Sequence, residues 1–165
     1  MNDFIISHLK STLHLSPDLV NSQLYDDSTF YAQFLKDVKN CHKEVIIESP
    51  FIASYRMASF ISVFERLVHK KVKVYVFTRN PEDHDITLRV QAEQEIRRLQ
   101  TLGVQVILSN DYSHRKLAIL DRKILWEGSL NILSQNISRE IMRRIGSEVE
   151  AKRCFEFINL GKFIY

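Results

Sequence analysis

Six residues in the last third of this 165-residue chain have the types and spacing of a phosphoryl site. His114 and Lys116 stand two positions apart, Asp121 follows after four intervening residues, and Gly128, Ser129 and Asn131 come after six more. Cleaving a phosphodiester without a metal needs a nucleophile that is neutral near pH 7, a proton donor for the leaving oxygen, and fixed positive charge on the non-bridging oxygens. Histidine, with an ordinary pKa of about 6.5, serves as nucleophile or acid, as a two-step displacement through a phosphohistidine requires. Lys116 supplies the charge. Leu117–Leu120 and Lys123–Trp126 are apolar and β-prone, so strand alternation predicts that His114 and Lys116 share one face, as do Ser129 and Asn131. Gly128 is expected to leave room for a ligand against the backbone.

Position for position, His114, Lys116, Asp121, Gly128, Ser129 and Asn131 match the His-x-Lys-x4-Asp and Gly-Ser-x-Asn signature, and at these residues the chain resembles the phospholipase D superfamily. The resemblance implies that His114 is the nucleophile and that Lys116, Ser129 and Asn131 grip phosphate. It makes Glu140, with Glu148 as the alternative, the acid that holds the imidazole in its reactive tautomer. Asp121 is then catalytic in membership but supportive in role, and it also reads as part of a turn. The resemblance calls for neither cofactor nor metal. Cys41 and Cys154 lack metal-ligand spacing and read as the buried or half-buried thiols of a cytoplasmic protein.

Superfamily members build one site from two copies of the motif, one histidine attacking and the other protonating the leaving group. Only His114 has that context here. The expected assembly is therefore a two-fold homodimer with a shared groove, the alternative being a second half supplied by another domain of a larger protein. His8, His14, His42 and His69 have no matching neighbourhood, and His84, between Asp83 and Asp85, reads as part of a solvated turn, the alternative being a residue that borders the substrate.

Charge points to the substrate. Residues 1–113 hold 13 Lys and Arg against 14 Asp and Glu, whereas residues 114–165 hold 10 against 6, so the net charge of +3 arises wholly in the motif-bearing third. Arg115, Arg122, Lys123, Arg139, Arg143 and Arg144, with Lys152 and Arg153 beyond, are candidates to line a groove for a polyanion. The expected function is a metal-independent endonuclease acting on DNA, with RNA as the alternative polymer. A phospholipid hydrolase would use the same residues and dock through an apolar surface such as Ser49–Ala53. A third reading is a non-catalytic nucleic-acid-binding module of a larger DNA-processing system. The N-terminal Met1–His8 stretch shows neither a basic region nor a long apolar run, which predicts no signal peptide and no stable membrane association.

The elements that must position these residues alternate as in an α/β domain. Asp27 and Ser28 are expected to cap a helix to about Lys39. A strand at Glu44–Glu48 precedes a helix from Ser54 to about Val68, with Met57, Phe60, Ile61, Phe64 and Leu67 as its buried stripe. Val72–Phe77 reads as a strand, Asn80–Asp85 as a loop, Thr87–Leu102 as a helix closed by Gly103, and Val104–Leu108 as the strand leading into the motif. A strand near Ile141–Ile145 and a helix over Ser147–Leu160 complete the expected fold: α/β, a mixed central β-sheet flanked by helices on both faces, as the phospholipase D resemblance also implies. Residues 27–165 read as a single domain and residues 1–26 as an arm or short helix.

Overall fold

A computed structural model of the chain describes residues 21–109, 113–134 and 139–164, so the stretch expected to be an N-terminal arm lies largely outside the described residues. Seven strands form one mixed sheet among them, in the order β1, β7, β6, β5, β2, β3, β4. The parallel half joins β2 (Glu44–Glu48), β3 (Lys73–Arg79) and β4 (Gln105–Ser109). The antiparallel half comprises β5 (Leu117–Leu120), β6 (Ile124–Gly128), β7 (Ile141–Ile145) and β1 (Ser22–Asp26), with β5 pairing β2 at the junction.

Helices cover both faces, as expected. On one face, α1 (Phe30–Lys39), α2 (Ser54–Met57), α3 (Ile61–His69) and α4 (Ile86–Thr101) enclose a core containing Phe30, Phe34, Phe60, Phe64, Leu67 and Trp126. On the other, α5 (Glu148–Phe157) packs Ala151 and Phe155 against Ile46, Tyr75, Phe77, Leu117 and Ile119. Every residue of β5 is buried because the strand is covered on both sides, so its four-residue apolar run does not alternate.

Three elements depart from expectation. Ser22–Asp26 is an edge strand paired with β7, so the sheet begins before residue 27. Its ladder is held by the backbone while Leu24 stays exposed, which leaves no apolar alternation to read. The helix expected over Ser54–Val68 is interrupted after Met57, where Phe60 N–H donates to Met57 O at 2.9 Å and the Ser59 hydroxyl donates to Arg56 O at 2.7 Å. These bonds close a tighter turn in place of the regular helical one. The first cap also differs: Thr29, not Asp27 or Ser28, stands at the cap position of α1 and makes no side-chain cap bond, while Asp26 accepts the Ser28 and Thr29 N–H groups at 3.1 and 2.9 Å in the turn ahead of the helix. Ser54, expected to cap the next helix, lies inside α2 with Ala53 at the cap position, whereas Asp85 and Ser147 cap as their types suggest. Asp85 accepts from Thr87 and Leu88 N–H at the start of α4, Ser147 accepts from Glu150 N–H at the start of α5, and Gly103 follows α4 with φ of 92°.

Candidate active site

The motif occupies one end of the sheet. His114, Arg115 and Lys116 precede β5 rather than lying within it, but the alternation anticipated for a strand holds in effect. Arg115 turns to the buried carboxylate of Glu48 at the end of β2, donating from Nε to its oxygens at 3.0 and 2.9 Å, and Ser113 donates to the same carboxylate. The side chains of His114 and Lys116 meet each other. The Lys116 ammonium donates to His114 Nδ1 and, at 2.8 Å, to the His114 carbonyl. Burial, then Lys116, then Arg79 hold the His114 imidazole below its ordinary pKa. Lys116 is itself lowered by burial, and the charge of Glu140 opposes that shift. Glu140 thus joins the site through Lys116, whereas it was expected to act on the imidazole.

Asp121 lies at the opposite end of β5. Its Oδ2 accepts from His42 N–H at 2.9 Å, and its Oδ1 accepts from Lys43 and Glu44 N–H at 2.8 and 2.9 Å. Asp121 and Arg122 have φ of 51° and 54° and form the tight turn between β5 and β6. The Asp121 carboxylate pins the segment before β2 to the β5–β6 hairpin, away from His114.

Gly128 is also explained differently. A β-carbon there would collide with the Ile141 carbonyl and the Met142 side chain, so the residue serves close β6–β7 pairing rather than ligand access. Ser129 follows, its hydroxyl accepting from Ile141 N–H at 3.2 Å and lying 3.4 Å from Ile141 O. Asn131 presents a buried Oδ1 with no hydrogen-bond partner among the described residues. A buried amide oxygen in that state is a group awaiting a donor.

The expected basic groove divides. Arg115 and Arg143 line one 480 Å³ cavity with Lys116 and Gly128, and Arg139 is exposed just ahead of β7. Arg122 and Lys123 belong to the far end with Asp121, where Arg122 pairs with Glu44 and lies over the Phe155 ring. Arg144 is structural: its Nε donates to Asp37 at 2.6 Å, and the same carboxylate accepts from Trp126 Nε1 at 3.1 Å. Lys152 and Arg153 pair along α5 with Glu148 and Glu150. Alternation of residue type says nothing about which end of a sheet a charge reaches.

Two contributors went unread in the sequence. Glu48 and Arg79 end the parallel strands β2 and β3, and strand ends of this kind are where open α/β sheets bind ligands. That rule would have found them had β3 been carried through to Arg79. Phe51 lies 6.1 Å from His114, ring centre to ring centre in an edge-on arrangement, and 5.0 Å from His84. His84 is half-buried against it, not solvated as expected, and burial followed by Arg79 lowers its pKa. Cys41 and Cys154 are free thiols, raised to about 12 and about 11 mainly by burial. No group of His, Cys, Asp and Glu suited to a metal occurs among the described residues.

Known proteins share this arrangement of chain. Nuc from Salmonella typhimurium, described as a phospholipase D family member, superposes with a TM-score of 0.67 at 13% identity, over 82% of this chain and 90% of its own. NucT from Helicobacter pylori gives 0.63 at 15%, over 82% and 91%. An archaeal chromatin protein, TrmBL2, described as showing a novel mode of DNA binding, gives 0.57 at 9%, over 95% and 58%. At these identities the likeness establishes the fold. No curated protein matches the sequence. The model of the family described as "Cardiolipin synthase, PLD-like domain" matches residues 34–155, from within α1 to the end of the motif region and into α5. The chain therefore belongs to the phospholipase D superfamily, as a member with a PLD-like domain.

Proposed function

We propose that this chain is a metal-independent phosphodiesterase, an endonuclease acting on DNA through a phosphohistidine on His114. The observation that carries the reading is the pairing of His114 with Lys116 inside a positive field from Arg79. Like charges around the imidazole favour its neutral form, which is the nucleophile. On substrate binding, Lys116 transfers its ammonium from Nδ1 to a non-bridging oxygen, and Asn131, in the role that the family resemblance implies, donates from its Nδ2 amide to phosphate. Once Lys116 has left, Nδ1 takes up a proton from solvent and Nε2 gives its proton to solvent, and the imidazole attacks phosphorus in line through the Nε2 lone pair. The P–O bond to the leaving alcohol breaks as the N–P bond forms, and a protonated second histidine supplies the proton to the alkoxide. That histidine then takes a proton from water, which attacks phosphorus and releases His114.

The second histidine is His114 of an identical chain in this reading. Leu24, Ile141 and Phe157 are 61%, 58% and 88% exposed and line the cavity that also holds Lys116 and Gly128. Apolar surface of this kind at the rim of a half-site fits a second copy. The test is cleavage of single-stranded and duplex DNA, RNA and phospholipid in EDTA, beside His114→Ala and Lys116→Ala. DNA cleavage lost in both variants supports the proposal, and phospholipid turnover without DNA cleavage replaces it.

A further inference from the structure

Beside His114 is a second cavity, of 290 Å³, lined by Phe51, Tyr55, His84, Leu88 and Gln91 over a floor of Ile52 and Ala53. We infer that this cavity seats one nucleobase next to the cleaved phosphate, making single-stranded nucleic acid the substrate class. The inference rests on the phosphodiesterase reading above and names what that site would select.

Phe51 is the wall common to both sites, its ring meeting His84 on the cavity side and His114 edge-on. A group filling the cavity therefore lies one aromatic ring away from the imidazole assigned to phosphorus. The volume suits a small organic ring system and is at the low end for ligand pockets. Its walls carry aromatic and aliphatic surface that solvent reaches: Tyr55 is 49% and Leu88 43% exposed. Polar groups are few but suited to a base edge. Gln91 offers an amide that both donates and accepts. His84 Nε2 is buried and has no hydrogen-bond partner among the described residues. Burial and the nearby Arg79 keep that imidazole toward its neutral form, so the wall it forms with Phe51 carries little charge.

Charge is arranged for the same ligand. The Arg79 guanidinium lies 5.8 Å from the Phe51 ring centre and acts on both histidines, so a fixed positive charge stands at the wall shared by the apolar slot and His114. A nucleotide has that polarity, with an anion at one end and a flat apolar face at the other. A phospholipid would place two acyl chains beside its phosphate, and buried Ile52 and Ala53 close the floor against them. A base held in a duplex would have to leave its stack to enter. The segment Phe51–Ala53, a candidate lipid-docking surface by sequence alone, thus becomes part of a base pocket.

The test uses the full chain as His114→Ala, which binds without cutting, and a fluorescent single-stranded oligonucleotide in which an abasic site is moved one position at a time. One position is expected to weaken binding by about 5- to 150-fold, the range spanned by stacking of a base on an aromatic side chain. Phe51→Ala is expected to flatten that scan and Phe51→Trp to preserve it, with the single strand bound more tightly than a duplex of equal length. A flat scan with the unaltered pocket overturns the inference, as does duplex binding at least as tight as single-strand binding. Phe51-dependent capture of phosphatidylglycerol vesicles in place of the oligonucleotide overturns it as well. Binding needs no turnover, so a chain that cleaves nothing sinks the proposed activity while the scan still decides the pocket. An active chain with a flat scan sinks the pocket alone.

Discussion

Burial first, then Lys116 and Arg79, hold His114 toward its neutral form, the two cations because a positive neighbour disfavours a second positive charge. The sign is testable directly. In a nuclear magnetic resonance titration His114 should protonate below the ordinary histidine value, and both Lys116→Met and Arg79→Gln should move it upward by removing like charge. A titration unchanged in both variants would show that burial alone governs the shift. Asp121 makes the contrasting case of a motif residue whose work is architectural. Asp121→Ala deprives three backbone N–H groups of their acceptor. Because His42 and Lys43 are exposed and water can replace part of the loss, about 1 kcal/mol of stability should disappear in denaturant unfolding. The His114 titration should remain where it was.

Elements carry the site by bringing strand ends together. Glu48 at the end of β2 orients Arg115, which obliges its neighbours on either side to face the other way, and these are His114 and Lys116. Close pairing of β6 with β7 then sets Ser129 and the approach to Asn131. Gly128→Ala should cost about 1–3 kcal/mol by forcing those strands apart, measured by chemical denaturation. A neutral result would mean that the β6–β7 contact yields at little cost. Much of this framework was legible in the sequence, since β2, β7 and the capped helices α4 and α5 follow from hydrophobic period and polar caps. The placing of His114 and Lys116 side by side was legible from residue type and spacing. What could not be read was of two kinds. Strand β1 buries too little apolar surface to announce itself, and the fates of Arg122 and Arg144 depend on which end or face of the sheet each reaches. Phe51, Arg79 and His84 come from three separate segments and converge only through the fold.

At the scale of the whole molecule, positive charge is less a continuous groove than a local concentration around Lys116, Arg115, Arg143 and Arg79. Arg122, Lys123 and Arg144 are directed elsewhere. Salt dependence of single-strand binding should reflect this division. Arg143→Gln should reduce the log–log slope by about 0.7 if it meets one phosphate, while Lys123→Gln should leave it unchanged. Equal effects would restore a groove running the length of the sheet. The composite dimer makes its own prediction. When wild-type and His114→Ala chains are mixed in equal amounts and allowed to exchange, random pairing leaves about one site in four with both histidines, and activity should fall to that level. A fall only to half would mean that each chain acts alone. The most direct measurement remains the covalent intermediate itself: an end-labelled DNA strand incubated with the chain in EDTA, quenched during turnover, and mapped by peptide mass. The expected result is a nucleotide phosphate bonded to His114, absent with cleavage in His114→Ala. Cleavage that requires a divalent metal, or that persists without His114, would contradict the account.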